Sequence, residues 1–257
     1  MHTALSIAGS DPTGGAGLQA DLQVFRTLGV HGMGVLTALT VQDPARVHEV
    51  LPVFPSVVLK QLRALLRSTP PDALKLGMLA TDDIARSVEL GLRELDPVRR
   101  TPIVVDPVLA ASDGTPLLER RAFGTLQDLI GRAHLVTPNL LEAAALTGSD
   151  VSTREGVEAA AAQLVNGIGA RAALVKGGHR DGAPDDLLAL REGGSASFHW
   201  LPGERIPGEP VHGTGCALSS AITAHLARGA ELREAVERAR GFVRDAIRRA
   251  QARLLVY

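Results

Sequence analysis

Residues 212–216, His212-Gly213-Thr214-Gly215-Cys216, run directly into Ala217-Leu218-Ser219-Ser220-Ala221, a small-residue stretch that reads as a helix. Two glycines and a threonine at a helix start leave several N–H groups aimed one way. Such a nest suits a transferring phosphoryl group, because phosphoryl transfer depends chiefly on positioning and charge neutralisation. Cys216 falls in the first turn, where a helix N-terminus lowers a thiol pKa, so it could accept a proton from a substrate hydroxyl. The plainer alternative is a small buried cysteine behind an ordinary turn.

Three further groups carry possible chemistry. Ala8-Gly9-Ser10-Asp11-Pro12-Thr13-Gly14-Gly15-Ala16-Gly17 follows an apolar run and opens a helical pattern. Its glycines would let the backbone approach a polar or anionic ligand. Gly15-Ala16-Gly17-Leu18-Gln19-Ala20 also fits the G-x-G-x-x-A dinucleotide fingerprint, but Thr37 stands where the acidic partner is expected. A tight turn with no ligand explains the same glycines. Lys176-Gly177-Gly178-His179 follows another apolar run, and a lysine there could reach a phosphate or simply face solvent. Asp106 ends a strand, and Asn139 and Glu142 lie three apart after another. Such oxygens suit Mg2+, which takes few protein carboxylates alongside nucleotide phosphates and water. Asn139 and Glu142 also have the spacing of a helix cap and its third residue.

The elements that must position these residues alternate along the chain. Strands are expected at Leu5–Ala8, Val35–Val41, Ala73–Leu76, Ile103–Val105, His134–Val136 and Ala172–Val175. Leu187–Leu190 and Ser197–Leu201 read as a hairpin or edge strands. Helices are expected after the first glycine-rich turn, with Leu18, Leu22, Phe25 and Leu28 on one face, and at Val57–Leu66, after Thr81, near Thr153–Ile168, and at Gly215–Leu226 and Leu232–Leu254. Alternating strands and helices predict a mostly parallel sheet covered on both faces, with ligands beyond the carboxyl ends of the strands. With no long linker or repeat, residues 1–257 read as one domain.

Composition narrows the function classes. Hydrophobic residues make up 45% of the 257 and aromatics only 3%, so aliphatic side chains must fill the core. A formal net charge of −1 with mixed signs argues against general attraction to nucleic acid or to anionic membrane. No signal-like or membrane-spanning run is present, and one cysteine cannot form an internal disulfide, which predicts a reducing cytoplasm. The P-loop, zinc-ligand and G-x-S-x-G patterns are all missing. Only Lys60, Lys75 and Lys176 are lysines.

Taken in order, the stretch 8–21, Asp106-Pro107-Val108, Thr137-Pro138-Asn139-Leu140-Leu141-Glu142, Lys176-Gly177-Gly178-His179 and His212-Gly213-Thr214-Gly215-Cys216 resemble the hydroxymethylpyrimidine/phosphomethylpyrimidine kinases of thiamine biosynthesis. The resemblance implies a ribokinase-like three-layer α/β/α sandwich with a central, mostly parallel sheet. It implies ATP and Mg2+ as cofactors, transfer to an alcohol and then to the resulting phosphate, and a homodimer. By the same resemblance, Gly9, Asp21, Gln42, Met78 and Val108 would line a pyrimidine pocket. Gly213, Thr214 and Gly215 would form the anion hole, with Cys216 where most of the superfamily carries an aspartate base. Lys176 would face ATP phosphates, and Asp106, Asn139 and Glu142 would organise Mg2+ and phosphate, partly through water.

Three stretches depart from the family pattern. Asp43-Pro44 replaces Asn-Thr after Gln42, residues 208–211 read Gly-Glu-Pro-Val, and a Gly/His-rich tail is replaced by Leu254-Leu255-Val256-Tyr257. If Asp43 faces the pocket, its charge disfavours the second phosphorylation, whose acceptor is already anionic. Competing readings are a pyridoxine or pyridoxal kinase on the same fold, an NAD-dependent oxidoreductase resting on Gly15–Ala20, and a catalytically silent pyrimidine-binding relative.

Overall fold

The computed structural model describes residues 1–257 except 44, 96–99, 179–182, 209–210 and 252–253, so His179, Pro44, Glu209 and Pro210 lie outside the described residues. In chain order the elements are β1 (Thr3–Ser10), α1 (Gly17–Thr27), β2 (His31–Gln42), β3 (Val47–Pro52), α2 (Pro55–Ser68), β4 (Ala73–Leu76), α3 (Asp82–Leu92), β5 (Ile103–Val105), α4 (Phe123–Ile130), β6 (Leu135–Val136), α5 (Leu140–Thr147), α6 (Arg154–Ala162), β7 (Ala172–Val175), β8 (Asp186–Glu192), β9 (Ser195–Leu201), α7 (Thr214–Ala227) and α8 (Leu232–Arg248). They divide into two compact units, residues 1–122 with 208–257, and residues 123–207.

In the first unit, β1 pairs in parallel with β2 and β4, β4 in parallel with β5, and β3 joins β2 antiparallel. All four residues of β4 and the six interior residues of β1 are buried, as expected of parallel strands covered on both faces. Helix α1 packs on β1, β2 and α7, while α7 packs on β1, β4, β5 and α8. Glycines in β2 allow this close approach. A Cβ on Gly34 would meet Leu18 at 2.7 Å, and one on Gly32 would meet Leu22 at 2.8 Å. The stripe Leu18, Leu22 and Leu28 is therefore only half-buried, and α1 buries Ala20, Asp21, Val24 and Phe25 most deeply. Contact with α7 as well as with the sheet rotates the buried face by roughly a fifth of a turn from the expected one, and Phe25 belongs to both.

The strand β3 was not expected. It is an edge strand with mostly exposed side chains and a terminal proline, so it lacks the alternation that marks a half-buried strand. In the second unit, β6 and β7 are parallel and β8 and β9 extend the sheet antiparallel as the expected hairpin. Helix α6 continues into a π-helical stretch, Gln163–Ile168, that ends on left-handed Gly169. Helix α8 stops at Arg248, six residues before the expected end, where the chain turns so that Leu254 donates to the Gln251 carbonyl. No helix among the described residues is long and apolar enough to cross a membrane.

Candidate active site

The nest expected at residues 213–216 is built. Gly213 caps α7 in the left-handed region (φ 79°), and Ala217 donates the first intrahelical bond, to the Gly213 carbonyl, at 2.9 Å. The amides of Thr214, Gly215 and Cys216 have no backbone acceptor among the described residues, which leaves a cluster of donors at the positive end of a 14-residue helix. A Cβ on Gly213 would run into the Gly15 carbonyl, and one on Gly15 would sit 2.8 Å from the His212 ring. Gly15 thus serves close packing against the second loop, and Gly17 close packing within the first, against the Gly9 carbonyl. This weighs against the dinucleotide reading, which needs those glycines to admit a pyrophosphate.

Asp11 knits the two loops together. Its carboxylate accepts from the amides of Thr13 (2.8 Å) and Ala16 (2.8 Å) and pairs with His212 Nε2 at 3.1 Å. Burial would raise its pKa, but the bonds from His212, Thr13 and Gln42 outweigh that and hold it down at about 2. Sequence reasoning gave neither Asp11 nor His212 this bracing role. Their separation of 201 residues leaves no local signal.

Beneath the nest lies a buried polar cluster. Lys75, wholly buried in β4, donates to Asp21 Oδ1 at 2.5 Å and lies 3.5 Å from the Cys216 carbonyl. Asp21 also accepts from Ser6 (2.5 Å) and Ser220 (2.6 Å). Asp21, expected in the pyrimidine pocket, has a side chain with no exposure, and both of its oxygens accept from Lys75, Ser6 and Ser220. Asp106, just after β5, accepts from Ser219 Oγ at 3.0 Å and so faces the second turn of α7. The overlooked signal was a lysine inside the four-residue strand 73–76 and an aspartate on a buried helix face.

Cys216 is half-buried and does not have the lowered thiol pKa expected at a helix start. Burial raises it first. Lys75 opposes this, the carboxylates of Asp106 and Asp21 add to it, the Gly17 amide lowers it slightly, and the balance is about 11. Lys75 itself is shifted up, because Asp21, Cys216 and Asp106 outweigh the cost of its burial, and it stays protonated. The Tyr257 ring stacks on Phe242 with centroids 5.8 Å apart, and its buried hydroxyl has no hydrogen-bond partner among the described residues.

The other pocket residues are seen in two sets of contacts. Gly9 and Met78 touch, since a Cβ on Gly9 would sit 2.8 Å from the Met78 sulfur, and Val108 packs on the cluster of Ala38, Met78 and Ala80. Gln42 instead lines a cavity of about 230 Å3, including space open to solvent, with Asp43, Arg46, Asp113 and His212. Asp43 is held by its own turn. It accepts from Ala45 (2.7 Å) and Arg46 (3.2 Å) and pairs with His48 at 2.7 Å, which keeps its pKa low. These bonds favour the ionised carboxylate, which lines the same cavity as Gln42.

In the second unit, Asn139 and Lys176 are bridged as parallel neighbours at the ends of β6 and β7, with the Lys176 amide 2.8 Å from the Pro138 carbonyl. Asn139 and Glu142 form a full capping box on α5. Glu142 Oε2 accepts from the Asn139 amide at 2.7 Å, and Asn139 Oδ1 accepts from the Glu142 amide at 2.9 Å. The cap engages Glu142 Oε2 in the reciprocal bond. Among the described residues no three acidic, histidine or cysteine side chains cluster as a metal cage.

Known proteins match this arrangement along nearly the whole chain. A family model described as phosphomethylpyrimidine kinase matches residues 11–254. The thiamine biosynthesis bifunctional protein ThiED of Geobacter sulfurreducens is 43% identical over 96% of this chain, which spans 49% of that protein. A hydroxymethylpyrimidine/phosphomethylpyrimidine kinase of Staphylococcus aureus is 38% identical over 93% of this chain and 86% of its own length. The crystal structure of phosphomethylpyrimidine kinase from Clostridium difficile superposes with a TM-score of 0.84 at 35% identity, covering 96% of this chain and 100% of that one. An ADP complex of Bacillus subtilis pyridoxal kinase also gives 0.84 at 35% identity, covering 96% and 92%. The expected ribokinase-like α/β/α fold with its mostly parallel sheet is therefore the fold of this chain. With the motifs in place and the likeness continuous from the first loop to beyond α8, the chain belongs to the phosphomethylpyrimidine kinase family.

Proposed function

We propose that this chain moves a phosphoryl group from ATP to the hydroxymethyl oxygen of 4-amino-5-hydroxymethyl-2-methylpyrimidine, and then a second one onto the monophosphate, in thiamine biosynthesis. The observation that carries the reading is the amide nest of Thr214, Gly215 and Cys216 at the capped start of α7. Donors fixed before the reaction stabilise charge that develops on the transferring group, with no cost of reorganisation. Cys216 would take the alcohol proton as the new P–O bond forms. Gly9, Met78 and Val108 would hold the ring face and Gln42 its polar edge.

Lys176 and Asn139 would meet the ATP phosphates. The family implies Mg2+, and the donor set fits an ion that arrives with the nucleotide, since Asp106 and Glu142 offer single carboxylates and no cage. Bound there, the ion would neutralise phosphate charge. The reading puts residues 1–257 to work as one kinase domain in the cytoplasm, where a thiol at the reacting centre stays reduced. Because Asp43 stays ionised beside Gln42, the second phosphorylation is expected to be slower than the first.

Pyridoxal is the second reading, favoured by the pyridoxal kinases among the structural neighbours, including one from Staphylococcus aureus solved with AMP-PCP and pyridoxal at a TM-score of 0.82. Purified protein with ATP and Mg2+, offered the pyrimidine alcohol, pyridoxine and pyridoxal separately, tests the reading. ADP release that depends on the pyrimidine alcohol supports it. Release only with the pyridine alcohols transfers the chain to the second reading, and none with any alcohol leaves a silent binder.

A further inference from the structure

The buried ion pair under the nest has no role in the chemistry just described. A lysine and an aspartate with no solvent exposure are costly to hold in a core, and well-packed apolar residues commonly replace such pairs without loss. This pair joins three elements at one point. Lys75 comes from β4, Asp21 from α1, and the Cys216 carbonyl and Ser220 hydroxyl from the first two turns of α7. Around them β1 contributes Ser6, which saturates the second oxygen of Asp21, and Ser219 ties the same turn of α7 to Asp106. The start of α7 is thus pinned from below by polar bonds, although its buried surface consists mainly of small and aliphatic side chains.

We propose that Lys75 is a positioning residue for the phosphoryl transfer, its ammonium group anchoring the Cys216 end of α7 to Asp21 and supplying the positive charge beside the Cys216 side chain. This deepens the kinase reading and rests on it for the identity of the reaction. The anchor keeps the three free amides aimed at one spot. The charge acts against the carboxylates of Asp21 and Asp106 and the phenol of Tyr257, the other titratable groups around Cys216. Lys75 is the cation that opposes them, with its ammonium 3.5 Å from the Cys216 carbonyl.

Cys216 is the sole cysteine of the chain, so alkylation by iodoacetamide, a neutral reagent, reports its thiolate without any kinase assay. Well below the thiol pKa the rate follows the thiolate fraction, and one unit of pKa changes it about tenfold. At pH 8 and without nucleotide, Lys75→Met should slow alkylation about tenfold, and Asp21→Asn should speed it severalfold. Lys75→Met with Asp21→Asn, which strands neither charge, should remain slower than the parent. In the kinase assay both Lys75 variants should lose at least about tenfold in kcat with KM for ATP held within about threefold.

Opposite signs for the two single variants are the decisive result, because simple loosening of the fold would speed alkylation in both. Faster or unchanged alkylation in the double variant overturns the proposal. If neither Lys75 variant folds, unchanged or slower alkylation in Asp21→Asn still overturns it, and faster alkylation supports it only where the thermal unfolding of that variant matches the parent's. Kinase failure in the parent with the alkylation signs intact removes the reaction but leaves the anchor standing.

Discussion

A thiol with a pKa of about 11 holds only about one part in ten thousand as thiolate at pH 7, far from the match to working pH that favours a general base. Cys216 can therefore serve as the base only if its small ionised fraction carries the reaction. The sign of the pH dependence follows directly. Raising pH raises the thiolate fraction about tenfold per unit until the thiol pKa is reached, so kcat should climb between pH 7 and 9. Cys216→Ala should lower kcat far more than it changes KM and should abolish that climb. Rate profiles of both proteins over this range check it. A flat profile in the parent, with near-normal turnover in the variant, would take Cys216 out of proton transfer and leave the backbone nest as the main contributor. The same residue shows where sequence reading ran out. Its place at a helix start was legible from Gly213 and Gly215, but its pKa is set by Lys75, Asp21 and Asp106, which are distant in sequence.

At the scale of elements, α5 offers a clean separation of cap from ligand. Glu142→Gln keeps an oxygen able to accept from the Asn139 amide and removes the charge, whereas Glu142→Ala removes both. Thermal unfolding should register a loss of about 1 kcal/mol for the alanine and little for the glutamine, by the usual worth of a cap. Both variants should need more Mg2+ for half-maximal rate. An unchanged Mg2+ requirement in Glu142→Gln would confine Glu142 to capping. Elements with strong local signals were read closely: β4, β5 and β7 have the expected limits, because short runs that are apolar but for Lys75 in β4 admit little else. The edge strand β3 was missed because nothing in Val47–Pro52 alternates, and its pairing with β2 supplies what its own residues do not. In the site, the glycine-rich loops and the pair Asn139 and Lys176 could be read from position after a strand. The Asp11–His212 and Lys75–Asp21 links could not, since each joins residues at least 54 apart in the chain.

At the scale of the molecule, the outer face of β2 and β3 exposes a group of apolar side chains beside Glu49 among the described residues. Leu39 and Leu51 are cross-strand partners, 49% and 45% exposed, and Val41 and Phe54 are exposed as well. Directly opposed leucines on an edge hairpin are costly to leave in water, and a second copy of the chain would cover them. A homodimer through this face is the proposed assembly. Sedimentation should give about twice the 26.9 kDa chain mass, and Leu39→Glu with Leu51→Glu should return it to the monomer while the fold is retained. A parent chain that sediments as a monomer at micromolar concentration would reject this assembly.

The central claim is that the nest at α7 serves a pyrimidine alcohol, and it is tested most directly by competition in one vessel. Equal amounts of 4-amino-5-hydroxymethyl-2-methylpyrimidine and pyridoxal are incubated with the purified chain, ATP and Mg2+, and the products are followed by mass. The ratio of initial rates gives the ratio of kcat/KM values directly, free of differences in enzyme preparation. The account predicts that the pyrimidine monophosphate forms first and at least about tenfold faster than pyridoxal phosphate, with the pyrimidine pyrophosphate following. Pyridoxal phosphate formed in excess, or no phosphorylated pyrimidine at all, would contradict it.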